Sequence, residues 1–182
     1  MLVSIDIETT GLNPLADQIL EIAAVAMPNT ESPWDWWEFH RTIRVNRIEG
    51  DPFAIVMNVD LIKRSLELPY LSEQQAVQQF SDWCAEILEI TEPGGKITPV
   101  GFNVGKFDMA FLKSWEGSLD MNLFGHRCLE VGSLYADRNG PKKSSEFLHL
   151  GDKYDFEGEA HNALFDAKVA MAAVVERLFD DT

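Results

Sequence analysis

Cysteine is scarce in this sequence, and long apolar runs are missing. Its two cysteines, Cys84 and Cys128, form no CxxC pair, which argues against a disulfide framework or a cysteine zinc site. We expect both to be reduced and buried, as free cysteines usually are. No apolar run approaches the roughly 20 residues of a membrane helix. No basic residue precedes the first apolar run, so no signal peptide is predicted and the expected location is the cytoplasm.

Positive charge is also in short supply. The chain carries 15 basic and 30 acidic residues, for a net charge of −15. Such a surface repels phosphate backbones at long range, so a nucleic-acid partner would need a local source of positive charge, for example a bound divalent cation. The length of 182 residues and the apolar share of 46% are typical of one folded domain, expected over residues 1–182.

The apolar segments change character along the chain. The first part predicts three strands joined by short links, which favour antiparallel neighbours. These strands are expected over 2–7, 19–27 and 36–45. Later segments predict helices over 58–66, 72–90, 104–115, 132–137 and 160–179, strands over 97–102 and 128–131, and loops over 137–145 and 151–159. The helix over 72–90 is amphipathic, and Ser72 is its expected N-cap. This order predicts an α/β fold with a sheet of mixed direction.

Two acids lie close together near the N-terminus, in the stretch IDIET. Asp6 and Glu8 are two residues apart, so on a strand they share one face and repel each other. Taken alone, the pair is also typical of a solvated strand end.

A third acid, Asp108, falls near the start of a predicted helix in GFNVGKFDMAFL. Alone, it is equally typical of an aspartate that the helix dipole favours. A fourth, Asp166, lies in HNALFDAKVA, five residues after His161. Five residues correspond to about 140° of net rotation, so the two share no face of an ideal helix unless His161 precedes it or lies in its first turn. Alone, they are also typical of a helix cap and an isolated aspartate.

Together, the four carboxylates lie at the ends of regular elements in apolar surroundings. Clustered carboxylates raise one another's pKa and destabilise a fold unless a cation neutralises them. Hard oxygen ligands suit Mg²⁺ or Mn²⁺, and two such ions about 3.5–4 Å apart form a site that hydrolyses phosphodiesters. The pattern therefore favours a divalent metal site.

Three segments resemble the motifs of the DEDDh (DnaQ-like) 3′–5′ exonucleases. They are DIETTGL at 6–12, GFNVGKFD at 101–108 and HNALFDA at 161–167. The resemblance implies a ribonuclease-H-like mixed sheet, with three antiparallel strands followed by parallel strands, flanked by helices. It also implies a metal-dependent phosphodiester hydrolase that releases nucleoside 5′-monophosphates from the 3′ end of single-stranded nucleic acid.

The resemblance assigns roles to the motif residues. Asp6, Glu8 and Asp166 would ligate one Mg²⁺ or Mn²⁺ ion, and Asp6 would bridge to a second ion with Asp108 near it. His161 would be the general base on the attacking water, since a neutral histidine can accept a proton near pH 7.

The resemblance also assigns a group of residues to the substrate. These residues are Thr9, Thr10, Gly11, Leu12 and Asn103. Many family members have histidine where this chain has Phe102; this departure leaves the metal site intact but would change how the base or sugar is bound. The expected partners are 3′ ends of single-stranded DNA or RNA, or short oligonucleotides, without a choice between DNA and RNA. Several relatives form dimers, so a homodimer is a further possibility.

Three tryptophans crowd one segment, at Trp34, Trp36 and Trp37. Stacking on single-stranded bases, contact with a partner subunit and plain core packing are all open interpretations.

Two other functions stay open at this point. One is an exonuclease-fold module that binds a polymerase or another partner, with weak or no catalysis. The other is a ribonuclease-H-like endonuclease, which would cut inside a strand and so would also cut a circular substrate.

Overall fold

A five-stranded sheet of mixed direction lies at the centre of the structure, a computed structural model that describes residues 1–28, 35–115 and 117–179. The strands are β1 (Leu2–Thr9), β2 (Ile19–Ala26), β3 (Trp37–Thr42), β4 (Thr98–Gly101) and β5 (Leu129–Glu130). Their order is β3-β2-β1-β4-β5. The β1–β2 and β2–β3 pairs are antiparallel, whereas β1–β4 and β4–β5 are parallel. The predicted succession of three antiparallel strands and then parallel ones is confirmed.

Helices connect and cover the strands. They are α1 (Pro52–Met57), α2 (Val59–Ser65), α3 (Glu73–Thr91), α4 (Asp108–Ser114), α5 (Val131–Leu134), α6 (His149–Lys153) and α7 (Ala163–Phe179). The predicted N-cap of α3 is confirmed: Ser72 accepts the Gln75 amide, and the Gln75 side chain returns to Ser72 as a capping box. Within the described residues, no helix combines the length and the apolar character that crossing a bilayer requires.

The two faces of the sheet carry different cores. Ile5 and Ile7 of β1 pack with the α3 side chain of Phe80, whereas Val25 and Val100 belong to a second core with α7. Because side chains alternate along a strand, the even positions of β1 point toward α7. The centre of the sheet is covered on both faces, and every residue of β2 is buried.

Several element boundaries differ from the predictions. α7 begins at Ala163 rather than at 160, because Asn162 caps it by accepting the Phe165 amide and His161 has a left-handed φ of 68°. α4 begins at Asp108 rather than at 104, after a turn at Asn103, whose φ is 62°.

Two predictions of element type also need correction. The helix predicted over 58–66 is the second of two short helices, because Asp51 caps an additional helix, α1, that begins at Pro52. The segment 151–159, predicted to be a loop, begins inside α6. Leu150 of α6 is buried in the α7 core, and this tertiary contact is not visible in the local pattern.

The cysteines and tryptophans take different positions. Cys84 is buried as predicted, but Cys128 is exposed, so that prediction was wrong. Cys128 immediately precedes β5, the edge strand, which has a neighbour on one side only. Trp36 is buried and packs 5.9 Å from the Phe156 ring, and Trp37 is half-buried against the other core. Core packing therefore accounts for these two, while Trp34 lies outside the described residues.

Candidate metal centre and active site

Three carboxylates converge beside the end of β1. Asp6 and Glu8 share the face of β1 that α7 covers, and Asp166 lies in the first turn of α7. One oxygen from each of these three side chains lies within 4.8 Å of the others. The fold therefore joins the first and third sequence motifs in one cluster.

Asp108 approaches from a different direction. Its Oδ1 accepts a hydrogen bond of 3.0 Å from the Ile7 amide, which lies between Asp6 and Glu8 in sequence. β4 pairs with β1 only as far as Ser4, so the Ile7 amide lies beyond the end of that ladder. Asp108 is 2% exposed and belongs to the same acidic region, but it is not one of the three acids whose oxygens lie within 4.8 Å of one another.

His161 lies just before α7, one residue ahead of the Asn162 cap. Its main-chain amide donates to Asp166 Oδ2 over 2.8 Å, and the residue is exposed. The left-handed φ of His161 turns the chain sharply at this point. Because His161 precedes the helix, the five-residue spacing does not separate it from Asp166.

Burial raises the pKa of all four acids, and the charges of neighbouring acids add to the shift. Burial is the larger cause, and it raises the pKa of Glu8 to about 7 and that of Asp108 to about 8. The pKa of Asp6 is raised well above its ordinary value, by burial and then by the charges of Asp108 and Asp166. Burial also raises the pKa of Asp166, although the His161 amide opposes the shift. The ionised cluster is therefore unfavourable without a compensating cation.

The donor set fits a hard divalent cation. It consists only of carboxylate oxygens, which Mg²⁺ and Mn²⁺ prefer. After burial, the causes that raise the pKa of Asp6 are the charges of other acids, and a bound cation would relieve this repulsion. Asp6, Glu8 and Asp166 are therefore suited to hold a metal ion.

A cavity of about 640 Å³ opens beside the cluster. It is lined by Glu8, by the loop after β1 and by apolar side chains of α1. Its lining includes Ile7, Glu8, Thr9, Gly11, Leu12, Phe53, Met57 and Phe107. Three of the predicted substrate residues, Thr9, Gly11 and Leu12, thus line one cavity next to the acids.

Thr10 does not line this cavity. It is fully buried, and its hydroxyl donates to the Glu49 carbonyl over 2.6 Å and accepts the Gln18 amide over 2.9 Å. Its main-chain amide donates to the Gln18 carbonyl. Thr10 therefore holds the loop after β1 in place.

Asn103 lies on another side of the site. It is exposed and lines a second cavity of about 710 Å³, together with Phe102, Glu130 and Lys143. Phe102 packs 5.2 Å from the ring of Phe147, so it also contributes to the core.

A fifth acid, Glu21, lies next to the cluster and was missed in the sequence motifs. It pairs directly with Glu8 across the β1–β2 ladder and is 2% exposed. Its charge raises the pKa of Glu8 and of Asp166. Glu21 is the single charged residue of β2, and that isolated charge in an apolar strand was the signal available in the sequence.

The sequence itself identifies the family. Residues 3–174 match the RNase_T family, described as exonuclease. This match covers nearly the whole chain. The chain belongs to the RNase_T exonuclease family. A search of curated protein sequences finds no significant match.

Solved structures with similar folds include other exonucleases. The nuclease domain of 3′hExo, a DEDDh family member bound to rAMP, has a TM-score of 0.64 at 17% identity, over 98% of this chain and 92% of that chain. Exonuclease I from Methylocaldum szegediense has a TM-score of 0.61 at 16% identity, over 98% of this chain and 41% of that one.

Escherichia coli exonuclease I in complex with a dA16 oligonucleotide has a TM-score of 0.53 at 16% identity, over 99% of this chain and 41% of that one. The chain therefore spans less than half the length of these exonuclease I structures. At such identities the likeness shows the fold, which is the ribonuclease-H-like α/β fold that the motifs implied.

Proposed function

We propose that the protein is a metal-dependent 3′–5′ exonuclease. It hydrolyses phosphodiester bonds from the 3′ end of single-stranded nucleic acid and releases nucleoside 5′-monophosphates. The convergence of Asp6, Glu8 and Asp166 beside a cavity that can hold a nucleotide carries this proposal. Membership of an exonuclease family supports it. We treat residues 1–182 as one exonuclease domain.

Two divalent ions, Mg²⁺ or Mn²⁺, are part of the proposal. Asp6, Glu8 and Asp166 would hold one of them, and Asp6 would share the second with Asp108 near it. When bound, such ions polarise the scissile phosphate, favour deprotonation of the attacking water and stabilise the leaving 3′ oxygen.

His161 would accept the proton of the attacking water. His161 is exposed just before α7, and its main-chain amide donates a hydrogen bond to Asp166 Oδ2. A neutral imidazole is suited to this role near pH 7.

The cavity beside Glu8 would hold the 3′-terminal nucleotide. Main-chain groups of Thr9 and Gly11 would contact the sugar, and the apolar side chains of Leu12, Phe53 and Met57 would contact the base. Thr10 would act indirectly, through the loop that it holds. Asn103 would contact the strand on the β4 side of the site.

A single strand or a short oligonucleotide suits the charge of this protein. With a net charge of −15, a broad basic track for a duplex is not expected, and the last few nucleotides can be held by metal ions and apolar contacts. One similar structure holds a DNA oligonucleotide and another rAMP, so we propose neither DNA nor RNA in preference.

Labelled oligonucleotides test the proposal. Single-stranded DNA and RNA, labelled at the 5′ end, are incubated with Mg²⁺, Mn²⁺ or EDTA. We expect ladders that shorten from the 3′ end, no cleavage in EDTA, and no cleavage of circular strands. The D6N variant should be inactive, and D60N, a change at an exposed acid of α2, should match the wild type.

Two results would contradict the proposal. Cleavage of a circular strand would indicate an endonuclease. Binding of oligonucleotides without hydrolysis under any metal condition would favour the non-catalytic binding module.

A further inference from the structure

Glu21 is held by residues from two other elements. In the sheet, Glu8, Glu21 and Thr42 are direct neighbours on β1, β2 and β3. Glu21 Oε1 accepts hydrogen bonds from His40 Nε2 over 2.8 Å and from the Thr42 hydroxyl over 3.3 Å. Its other oxygen, Oε2, accepts the main-chain amide of Ala163 over 3.0 Å. Both carboxylate oxygens are thus occupied.

The contact with Ala163 joins the sheet to the beginning of α7. Ala163 is the first residue of that helix, and the first amides of a helix have no partner within it. Asn162 satisfies the Phe165 amide from within the chain, whereas the acceptor for Ala163 comes from β2, 142 residues away. A carboxylate at this position also complements the helix dipole.

This contact fixes the part of α7 that carries Asp166. Asp166 is three residues after Ala163, within the same first turn, and its amide donates to the Asn162 carbonyl. At the next row of the sheet, Asp6 faces Ala23, whose small side chain leaves room for α7 above it. The positions of Asp6 and Asp166 relative to each other therefore depend on how α7 is attached to β2.

We propose that Glu21 is a positioning residue of the metal centre: by binding the Ala163 amide, it holds Asp166 at the distance from Asp6 and Glu8 that a divalent ion requires. This inference rests on the proposed function, because it assumes that the three acids bind metal. Glu21 would not be a ligand itself, because both of its oxygens already accept hydrogen bonds from His40, Thr42 and Ala163. Outer residues of this kind set the orientation of the ligands they hold.

Two variants of Glu21 separate its geometry from its charge. E21Q keeps the length of the side chain and an oxygen for the Ala163 amide, but removes the charge. E21D keeps the charge, but it is one methylene too short to reach both β3 and Ala163. If Glu21 acts by position, E21D is the damaging change. If it acts by adding negative charge to the cluster, E21Q is the damaging change.

Glu73 provides a matched control. Its Oε1 also accepts a distant main-chain amide, that of Ile19, over 2.7 Å. It lies at the start of α3, on the other side of the sheet from α7. The E73Q variant therefore removes a similar carboxylate without touching the attachment of α7.

The experiment compares the affinity for Mn²⁺, measured by calorimetry on the folded proteins, and kcat and KM for a short oligonucleotide. We expect E21D to weaken Mn²⁺ binding and lower kcat by about 10- to 100-fold, as changes in outer residues do. E21Q and E73Q should stay close to the wild type in Mn²⁺ affinity. A Mn²⁺ affinity of E21D equal to that of the wild type, or a loss in E21Q as large as in E21D, would overturn the proposal.

A change on the other side of the hydrogen bond keeps the test valid if E21D fails to fold. A163P removes the donor and leaves Glu21 intact, and proline is favoured at the first position of a helix. We expect the same loss of Mn²⁺ affinity, and an unchanged affinity in folded A163P would overturn the proposal. If the wild type binds Mn²⁺ but hydrolyses no oligonucleotide, the proposed function fails, while the affinities still decide the role of Glu21.

Discussion

Glu8 and Glu21 are neighbours on adjacent strands, yet their carboxyl groups are in opposite electrostatic situations. Burial raises the pKa of Glu8 to about 7, and the charge of Asp166 adds to the shift. Burial also acts to raise the pKa of Glu21, but hydrogen bonds from His40 and the Ala163 amide outweigh it, and its pKa is lowered. Hydrogen-bond donors therefore decide which of the two buried acids is stable as a carboxylate without a cation, because they lower the pKa of Glu21 while the pKa of Glu8 is raised to about 7.

The largest expected effect comes from removing one acid of the cluster formed by Asp6, Glu8 and Asp166. D6N should lower kcat by roughly 10³-fold or more, since a bound metal contributes several kcal/mol of charge stabilisation and about 1.4 kcal/mol corresponds to a tenfold rate. The same change should leave the metal-free protein at least as stable, because it removes a like charge from the cluster. Oligonucleotide hydrolysis and urea unfolding in EDTA measure the two effects. A fully active D6N would exclude Asp6 as a metal ligand.

The stability of the metal-free protein should depend on pH. Glu8 and Asp108 have folded pKa values of about 7 and about 8, above their ordinary values of 4.5 and 3.8. Between these limits the folded protein binds more protons than the unfolded chain, so the free energy of unfolding falls as the pH rises from about 4 to about 8. Added Mg²⁺ should reduce this fall, since it binds the deprotonated cluster.

Urea unfolding at a series of pH values, with Mg²⁺ or with EDTA, measures this dependence. The D6N variant is the control, because the repulsion in its cluster is already reduced. If the metal-free protein instead becomes more stable as the pH rises over this range, the pKa values of Glu8 and Asp108 are not raised as described.

His40 should matter less than the acids, because it acts on Glu21. H40L removes the donor at 2.8 Å and leaves a carboxylate that is 2% exposed with fewer partners. We expect the free energy of unfolding to fall by about 1.5–3 kcal/mol, the range for a hydrogen bond to a charged group. Urea unfolding at neutral pH measures it, and H149L, at an exposed histidine, should change little. Equal stability of H40L and the wild type would mean that His40 does not support Glu21.

The smallest expected effect is at Thr42. Its hydroxyl donates a long hydrogen bond of 3.3 Å to Glu21 Oε1. The same oxygen keeps its shorter hydrogen bond of 2.8 Å from His40 when Thr42 is changed. T42V should lower the free energy of unfolding by about 1 kcal/mol or less. The same urea measurement checks it, and a cost above that of H40L would reverse the ranking of the two donors.

The sequence predicted the parts of this site that depend on local spacing. Alternation along a strand places Asp6 and Glu8 on one face whatever the rest of the fold does, and the amphipathic repeat and Ser72 define α3. The prediction that Asp166 approaches that face came from the resemblance of the third motif to the exonuclease family, since no local pattern connects residues so far apart. Oligomeric state and cellular location stay predictions.

The features that the sequence did not predict are tertiary contacts. Asp108 binds the Ile7 amide because β4 stops pairing with β1 at Ser4, and the sequence does not show where a ladder ends. Glu21 becomes important only through its register with Glu8 and its distance to Ala163. Each of these contacts joins residues that are far apart in the sequence.

A titration of the metal-free protein with Mn²⁺ near neutral pH is the most direct measurement of whether these buried acids form a metal centre. We predict saturable binding to the wild type and to E73Q, and loss of that binding in D6N and in D166N. Binding that is absent from the wild type, or that persists unchanged in both D6N and D166N, would contradict the assignment of Asp6, Glu8 and Asp166 as metal ligands.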